Sequence, residues 1–189
     1  MVGDYVPECG AAFGLPVIPF EEVETRLPPD SHDMFVAVTY LKLAQLRRDK
    51  FLAARNKGYT LASYVSDRAT VLNDGAIGEN CFIFEDNTVQ PFATIGDNVY
   101  LWSGNHIGHH ATIGDHSCVT SHVVVSGHVR IGERCFLGVN ATLRDNITIG
   151  DECVIGAGAL ILSDAEPGGV YVPAETERSR VPSRRLRSM

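Results

Sequence analysis

Residues 107–138 read IGHHATIGDHSCVTSHVVVSGHVRIGERCFLG. An aliphatic residue returns at every sixth position: Ile107, Ile113, Val119, Val125, Ile131 and Leu137. The register runs back through Leu101, Ile95, Val89, Ile83, Ile77 and Val71 to Val65. It runs forward through Leu143, Ile149 and Ile155 to Ile161. All 17 positions are aliphatic. With about a third of residues aliphatic at random, such a run has a probability of order 10⁻⁸. A period of six is not the 3.6 of an amphipathic helix, nor the strict alternation of a half-buried strand.

The other hexad positions explain the period. Glycine often follows the aliphatic residue, as at Gly78, Gly96, Gly108, Gly114, Gly132, Gly138, Gly150 and Gly156. The fourth position after it is usually small, as at Ala93, Ala111, Ser117, Cys135 and Ala159. Each hexad can supply one short strand and one turn, and three hexads close an 18-residue triangular coil. The aliphatic side chains point inward, the small residues fill the corners, and the glycines are expected to make the turns, where positive φ costs them little. No coil can bury its inner face alone, so stacked coils supply the core. At the strand spacing of about 4.8 Å the prism is about 27 Å long.

Composition narrows the function classes. Hydrophobic residues make up 44% and charged residues 21%, the balance of a globular chain. The net charge of −7 disfavours a general nucleic-acid binder, which needs a basic face. No apolar run reaches the roughly 18 residues of a membrane span. The opening MVGDYVPECG lacks the basic and apolar regions of a signal peptide. Five cysteines in no close pairs point to a reducing, cytoplasmic setting. Cys81, Cys135 and Cys153 fall in one column of the lattice, where small buried thiols serve as packing.

Three segments follow: 1–64, 65–166 and a tail, 167–189. The first lacks the period. Met34–Thr39 reads as a buried strand, Leu41–Lys57 as a helix, and Tyr59–Val65 as a strand entering the coil. The tail carries Arg178, Arg180, Arg184, Arg185 and Arg187, candidates for a phosphate contact or simply a solvated end.

The repeat resembles that of the hexapeptide-repeat acyltransferases, specifically the sialic-acid O-acetyltransferase-like group acting on nucleotide-linked amino sugars. The resemblance covers about residues 60 to 175. It implies a mainly β fold: a left-handed parallel β-helix preceded by a small, incomplete α/β Rossmann-like domain. The handedness comes from the resemblance alone, since parallel crossovers are generally right-handed. The stretch VGDYVPECGAAFGLPV is similar to the part of that domain after its second strand. The glycine-rich loop that holds nucleotide phosphates in such proteins has no counterpart here, which leaves nucleotide binding by this segment open.

Six of seven histidines lie between 106 and 128. His110 and His128 are 18 apart, as are His109 and Gly127, so each pair shares an edge in adjacent coils. Acyl transfer needs a group to take a proton from the nucleophile, and histidine suits that task. It also needs a donor for the oxyanion, which a backbone N–H supplies. The resemblance places the base at His109 and the oxyanion donor at Gly127. Many relatives follow the histidine with an acid; here the next residue is His110, itself a second candidate base. Asn105, Asp115, His128 or a group from another subunit could orient the base, and Asn105 and His128 are candidate substrate contacts. The resemblance also implies acetyl-CoA (or another acyl-CoA) as co-substrate, with Gly127, Asn140, Asp145, Gly156 and Gly158 along its path. A homotrimer follows likewise, with its clefts between chains.

Two rival readings follow from the same coil. Hexapeptide coils of the γ-carbonic-anhydrase type bind zinc through histidines, two of them five apart. The spacings here are 3, 1, 6, 6 and 6, so no metal is expected. A non-catalytic scaffold would keep the coil without the chemistry. Cys118 is the one candidate for a covalent route.

Overall fold

A computed structural model describes residues 2–3, 10–40, 42–180 and 183–185. Arg187 of the tail and Cys9 lie outside the described residues. From Tyr64 onward the chain is a parallel β-helix of two-residue strands. Three sheets form its faces, with seven, six and four strands. Every named strand pairs in parallel with the strand one coil away, as Tyr100 and Leu101 do with Cys118 and Val119. The 18-residue register read from the aliphatic positions is the register of these pairs, except the last, where Val154 and Ile155 pair with Val170 and Tyr171.

The lattice aliphatics are the core. Ile83, Leu101, Ile107, Leu137, Leu143, Ile149 and Ile155 are fully buried in one continuous cluster. Burying a side chain of this size is worth about 1.5–3 kcal/mol, and each coil adds three. Val65 is exposed, because it lies in the terminal coil and has a neighbour on one side only. The coil continues past 166: Val170–Tyr171 adds the seventh strand of the first face.

The glycines do not make the turns as expected. Positive φ falls three residues after each aliphatic from Val71 to Ile155, at Gly104 and Gly158 but otherwise at non-glycine residues such as Asn80, Asn98, His110, His116, His122, His128, Arg134, Asn140, Asn146 and Glu152. The glycines that follow the aliphatics have ordinary φ and are needed for close stacking. A Cβ on Gly114 would lie 2.5 Å from the Gly132 carbonyl carbon of the next coil. The corner instead takes asparagine and histidine, two of the non-glycine residues that tolerate the left-handed region best.

The N-terminal segment packs against one face and one edge. Helix α1 (Val23–Arg26) is a single turn, and α2 spans Gln45–Asn56. The start of α2 falls short of the expected helix because Lys42, Leu43 and Ala44 form a left-handed turn before it; Leu41 lies outside the described residues. Residues 34–39 form only a single bridge, Met34 to Leu61, rather than a strand. Their polar groups bond to the coil instead: the Val36 N–H donates to Asn80 Oδ1 at 2.7 Å. Arg47 of α2 is fully buried and staples the two parts. Its guanidinium donates to the carbonyls of Val36 (2.5 Å) and Asn80 (2.8 Å) and to the Tyr100 hydroxyl (2.6 Å), and it lies over the Tyr100 ring. With no carboxylate among these partners, burial lowers its pKa to about 10.

Candidate functional site

The prism has three edges, and they sort the histidines. His109, His110 and His128 share the edge between the six- and four-stranded faces. His116 sits on the next edge, buried edge-on against Phe51 of α2 with Nδ1 2.9 Å from Asn98 Nδ2. Burial lowers its pKa. His122 sits on the third edge, over Gly104. His110, His116, His122 and His128 all occupy left-handed corners, a structural reason for histidine there. His109 has ordinary φ, so backbone conformation gives no such reason for it.

His109 is the centre of the cluster. Its N–H donates to Gln90 Oε1 at 2.8 Å, fixing the backbone. Its Nδ1 lies 3.1 Å from His110 Nδ1, a hydrogen bond in which one ring donates and the other accepts. The opposite end of the ring lies across Gly127. A Cβ there would come within 2.7 Å of both His109 Cε1 and Nε2. His110 is held in turn between Phe92 and His128, with ring centroids 4.8 and 4.7 Å away. The His109 and His128 rings meet edge-on at 5.0 Å. All three histidines are exposed, and one ring nitrogen of each lies within 4.8 Å of the others.

The Gly127 N–H differs from those of three lattice equivalents on the His116 edge. At the same hexad position, the N–H groups of Glu79, Asp97 and Glu133 donate to an aspartate one coil on. The residue one coil on from Gly127 is Asp145, whose carboxylate instead accepts from Asn146 Nδ2 at 2.7 Å. Among the described residues no side chain takes the Gly127 N–H. A glycine with an open N–H under an imidazole offers an oxyanion site next to a base.

The other expected site residues scatter. Asp145 is on the histidine edge and exposed. Asn140 and Gly158 lie on the edge of His122, and Gly156 follows the strand Val154–Ile155 of the seven-stranded face. None of these three meets His109 within this chain. Asn105 is removed from the substrate contacts and from the orienting role. It is buried, its Nδ2 donates to the Trp102 carbonyl, and its Oδ1 accepts from the Val123 N–H at 2.8 Å. The interior ladder consumes both ends of its amide. Asp115 is likewise spent on the Asp97 N–H, on another edge. Cys118 is buried and its thiol is pushed up to about 12 by desolvation, which removes it as a nucleophile. The ring nitrogen within hydrogen-bond reach of the His109 imidazole is that of His110, which in sequence reads as a departure from an acid and a second candidate base.

A second feature is an apolar cavity over the seven-stranded face. Phe35, Val38, Tyr40, Phe84 and Trp102 line it, with Phe84 and Trp102 stacked at 5.0 Å. Among the described residues no helix is long and apolar enough to cross a membrane.

Comparison with known proteins places the repeat. Residues 92–127 match the bacterial transferase hexapeptide (six repeats), and residues 128–163 match the hexapeptide repeat of succinyl-transferase. No curated protein sequence matches the chain. Among solved structures, PerB from Caulobacter crescentus, in complex with CoA and GDP-perosamine, is 25% identical at a TM-score of 0.78. The match covers 87% of this chain and 79% of that one. The acetyltransferase domain of PglB from Neisseria gonorrhoeae is 28% identical at a TM-score of 0.77, covering 85% and 78%. It has also been solved with acetyl coenzyme A. WeeI from Acinetobacter baumannii, 18% identical at a TM-score of 0.77 over 89% and 80%, shares the fold.

Proposed function

We propose that this hexapeptide-repeat acyltransferase moves an acyl group, acetyl in the first instance, from acyl-CoA to an amine on a nucleotide-linked sugar. The coenzyme and acceptor class are those seen with the Caulobacter and Neisseria proteins. One observation in this chain carries the reading: the His109 ring lies across Gly127 while its Nδ1 is tied to His110.

The chemistry follows from that geometry. With Nδ1 occupied, Nε2 is the free nitrogen, and it faces the spot above Gly127. The sugar amine attacks the thioester carbonyl as His109 Nε2 takes its proton, so no charged ammonium builds up in the transition state. The carbonyl oxygen becomes an oxyanion and accepts from the Gly127 N–H. Collapse expels the CoA thiolate, which the protonated imidazole can neutralise. His110 acts as a positioning residue: it holds the His109 tautomer and is itself clamped between Phe92 and His128. Attack is direct, with no acyl-enzyme.

The site is open on one side in a single chain. We infer a homotrimer, in which the histidine edge of one copy faces another copy and Asn140, Gly156 and Gly158 line the coenzyme path. Cytoplasmic polysaccharide-sugar modification fits the substrate class. A thiol-release assay with acetyl-CoA and a panel of nucleotide-linked amino sugars tests the reading. Release with at least one amino sugar, abolished in His109→Ala, is expected. No release with any acceptor sinks the substrate class. Unchanged release in His109→Ala sinks the base and favours a different catalytic group.

A further inference from the structure

The histidine cluster has a property that proton transfer does not require. Three imidazoles from two adjacent coils place one nitrogen each within 4.8 Å of the others. Tetrahedral zinc with nitrogen ligands at about 2.0–2.1 Å needs its ligand atoms about 3.4 Å apart. The His109–His110 pair already stands at 3.1 Å. The His110 and His128 rings are stacked at 15°, so their lone pairs do not yet converge. Rotation of one exposed ring about its χ2 brings them together, and that torsion is broad and soft for histidine. The backbone under the cluster is rigid. His110 and His128 occupy equivalent corners one coil apart, and the His128 N–H donates to the His109 carbonyl at 2.9 Å. Three neutral imidazoles with one open position match the preference of zinc and its neighbours for nitrogen ligands.

We propose that His109, His110 and His128 form a reversible binding site for one divalent transition-metal ion of the zinc class, and that its occupancy switches the base off. The ion takes the His109 Nδ1 lone pair in place of the His110 hydrogen bond, so the ring's proton resides on Nε2, the nitrogen that would otherwise accept the proton of the sugar amine. An acid in place of His110 would leave two imidazoles; the exchange to histidine completes a three-nitrogen set. The site is missed by a search for histidines five apart, because its spacings are 1 and 18: neighbours along the chain and neighbours across a coil. The inhibition rests on the acyltransferase reading, whereas the binding does not.

The test uses the tag-free full chain and has two arms. In the first, cobalt(II) is titrated as a spectroscopic stand-in for zinc. One ion per chain with the intense visible bands of four-coordinate cobalt is expected, displaced by zinc. His110→Ala and His128→Ala each bind at least about tenfold more weakly, while His122→Ala, on another edge, binds as the parent. In the second, thiol release is followed with added zinc, then with a chelator. Reversible inhibition is expected, and zinc sensitivity, scored against each variant's own metal-free rate, drops in His128→Ala. Absence of the cobalt bands at millimolar metal, or binding by the His110 and His128 variants as tight as the parent's, overturns the site. Binding without inhibition of an active enzyme overturns the switch. Binding by a chain that transfers no acyl group keeps the site and removes the acyltransferase reading.

Discussion

Two adjacent histidines, His109 and His110, have different reasons for being where they are. His110 sits in a left-handed corner that also takes asparagine elsewhere in the coil, so its backbone alone accounts for much of its type. His109 has no such account, and its ring meets the one glycine that would clash with it. This separates two substitutions. His109→Ala should lower the acyl-transfer rate by about 10²–10⁴, the usual worth of a positioned base. The melting temperature should hold, because the side chain is exposed. Gly127→Ala should also fold, since its Cβ meets only the end of the His109 ring, which can swing away. Its kcat should nevertheless fall, because the ring leaves the oxyanion donor. A Gly127→Ala enzyme with parental kcat would show that ring and glycine do not work together.

Within the element, each hexad divides its positions between core, stacking and corner. Gly114 illustrates the stacking role, as its added Cβ would strike the backbone of Gly132. Backbone cannot rotate aside, so Gly114→Ala should destabilise the coil by about 1–3 kcal/mol in urea unfolding, unlike Gly127→Ala. Asn105 illustrates the interior ladder. Asn105→Ala leaves the Val123 N–H without its acceptor inside a dry coil and should cost about 1–3 kcal/mol. An unchanged unfolding midpoint in either variant would contradict the stacking and ladder roles. These positions also show how far the period could be read. The inward aliphatics were legible, because burial selects them at every sixth residue. The reason for glycine was not, because steric contact with the next coil is a property of two chain segments 18 residues apart.

For the whole molecule, three buried thiols give stability a pH limit. Burial raises Cys81 to about 11 and Cys118 and Cys135 to about 12, from an ordinary value of 9.0. The unfolded chain therefore loses these protons first as pH rises. Their contribution is fully present below pH 9 and is lost as pH climbs toward 11–12. Between pH 9 and 10 the loss is about 1 kcal/mol per thiol. Arg47 acts in the opposite sense, but only above about 10, where the folded state sheds its proton first. Urea midpoints at pH 8, 9 and 10 should fall in the parent and stay flatter in a Cys81→Ala, Cys118→Ala, Cys135→Ala chain. Equal slopes would mean that the thiols are not buried as drawn. Arg47 also ties α2 to the coil. Arg47→Ala should leave the carbonyls of Val36 and Asn80 unpaired and speed proteolysis of residues 10–60, with the coil itself resistant.

The sequence by itself determined the β-helix, its 18-residue register, its core and the pairing of His109 with Gly127. These all follow from a single translation repeated along the chain, so position modulo 18 is position in space. Only the tertiary structure decided what depends on side-chain direction and on contacts outside the lattice. It turned Asn105 inward, buried His116 against Phe51, and replaced the expected strand at 34–39 with a segment bonded to Asn80 and Arg47. It also stacked the rings of His110 and His128, already neighbours by register, beside His109. A period gives the place of each Cα; whether a polar atom there finds a buried partner or remains free for chemistry is settled by the neighbours it meets.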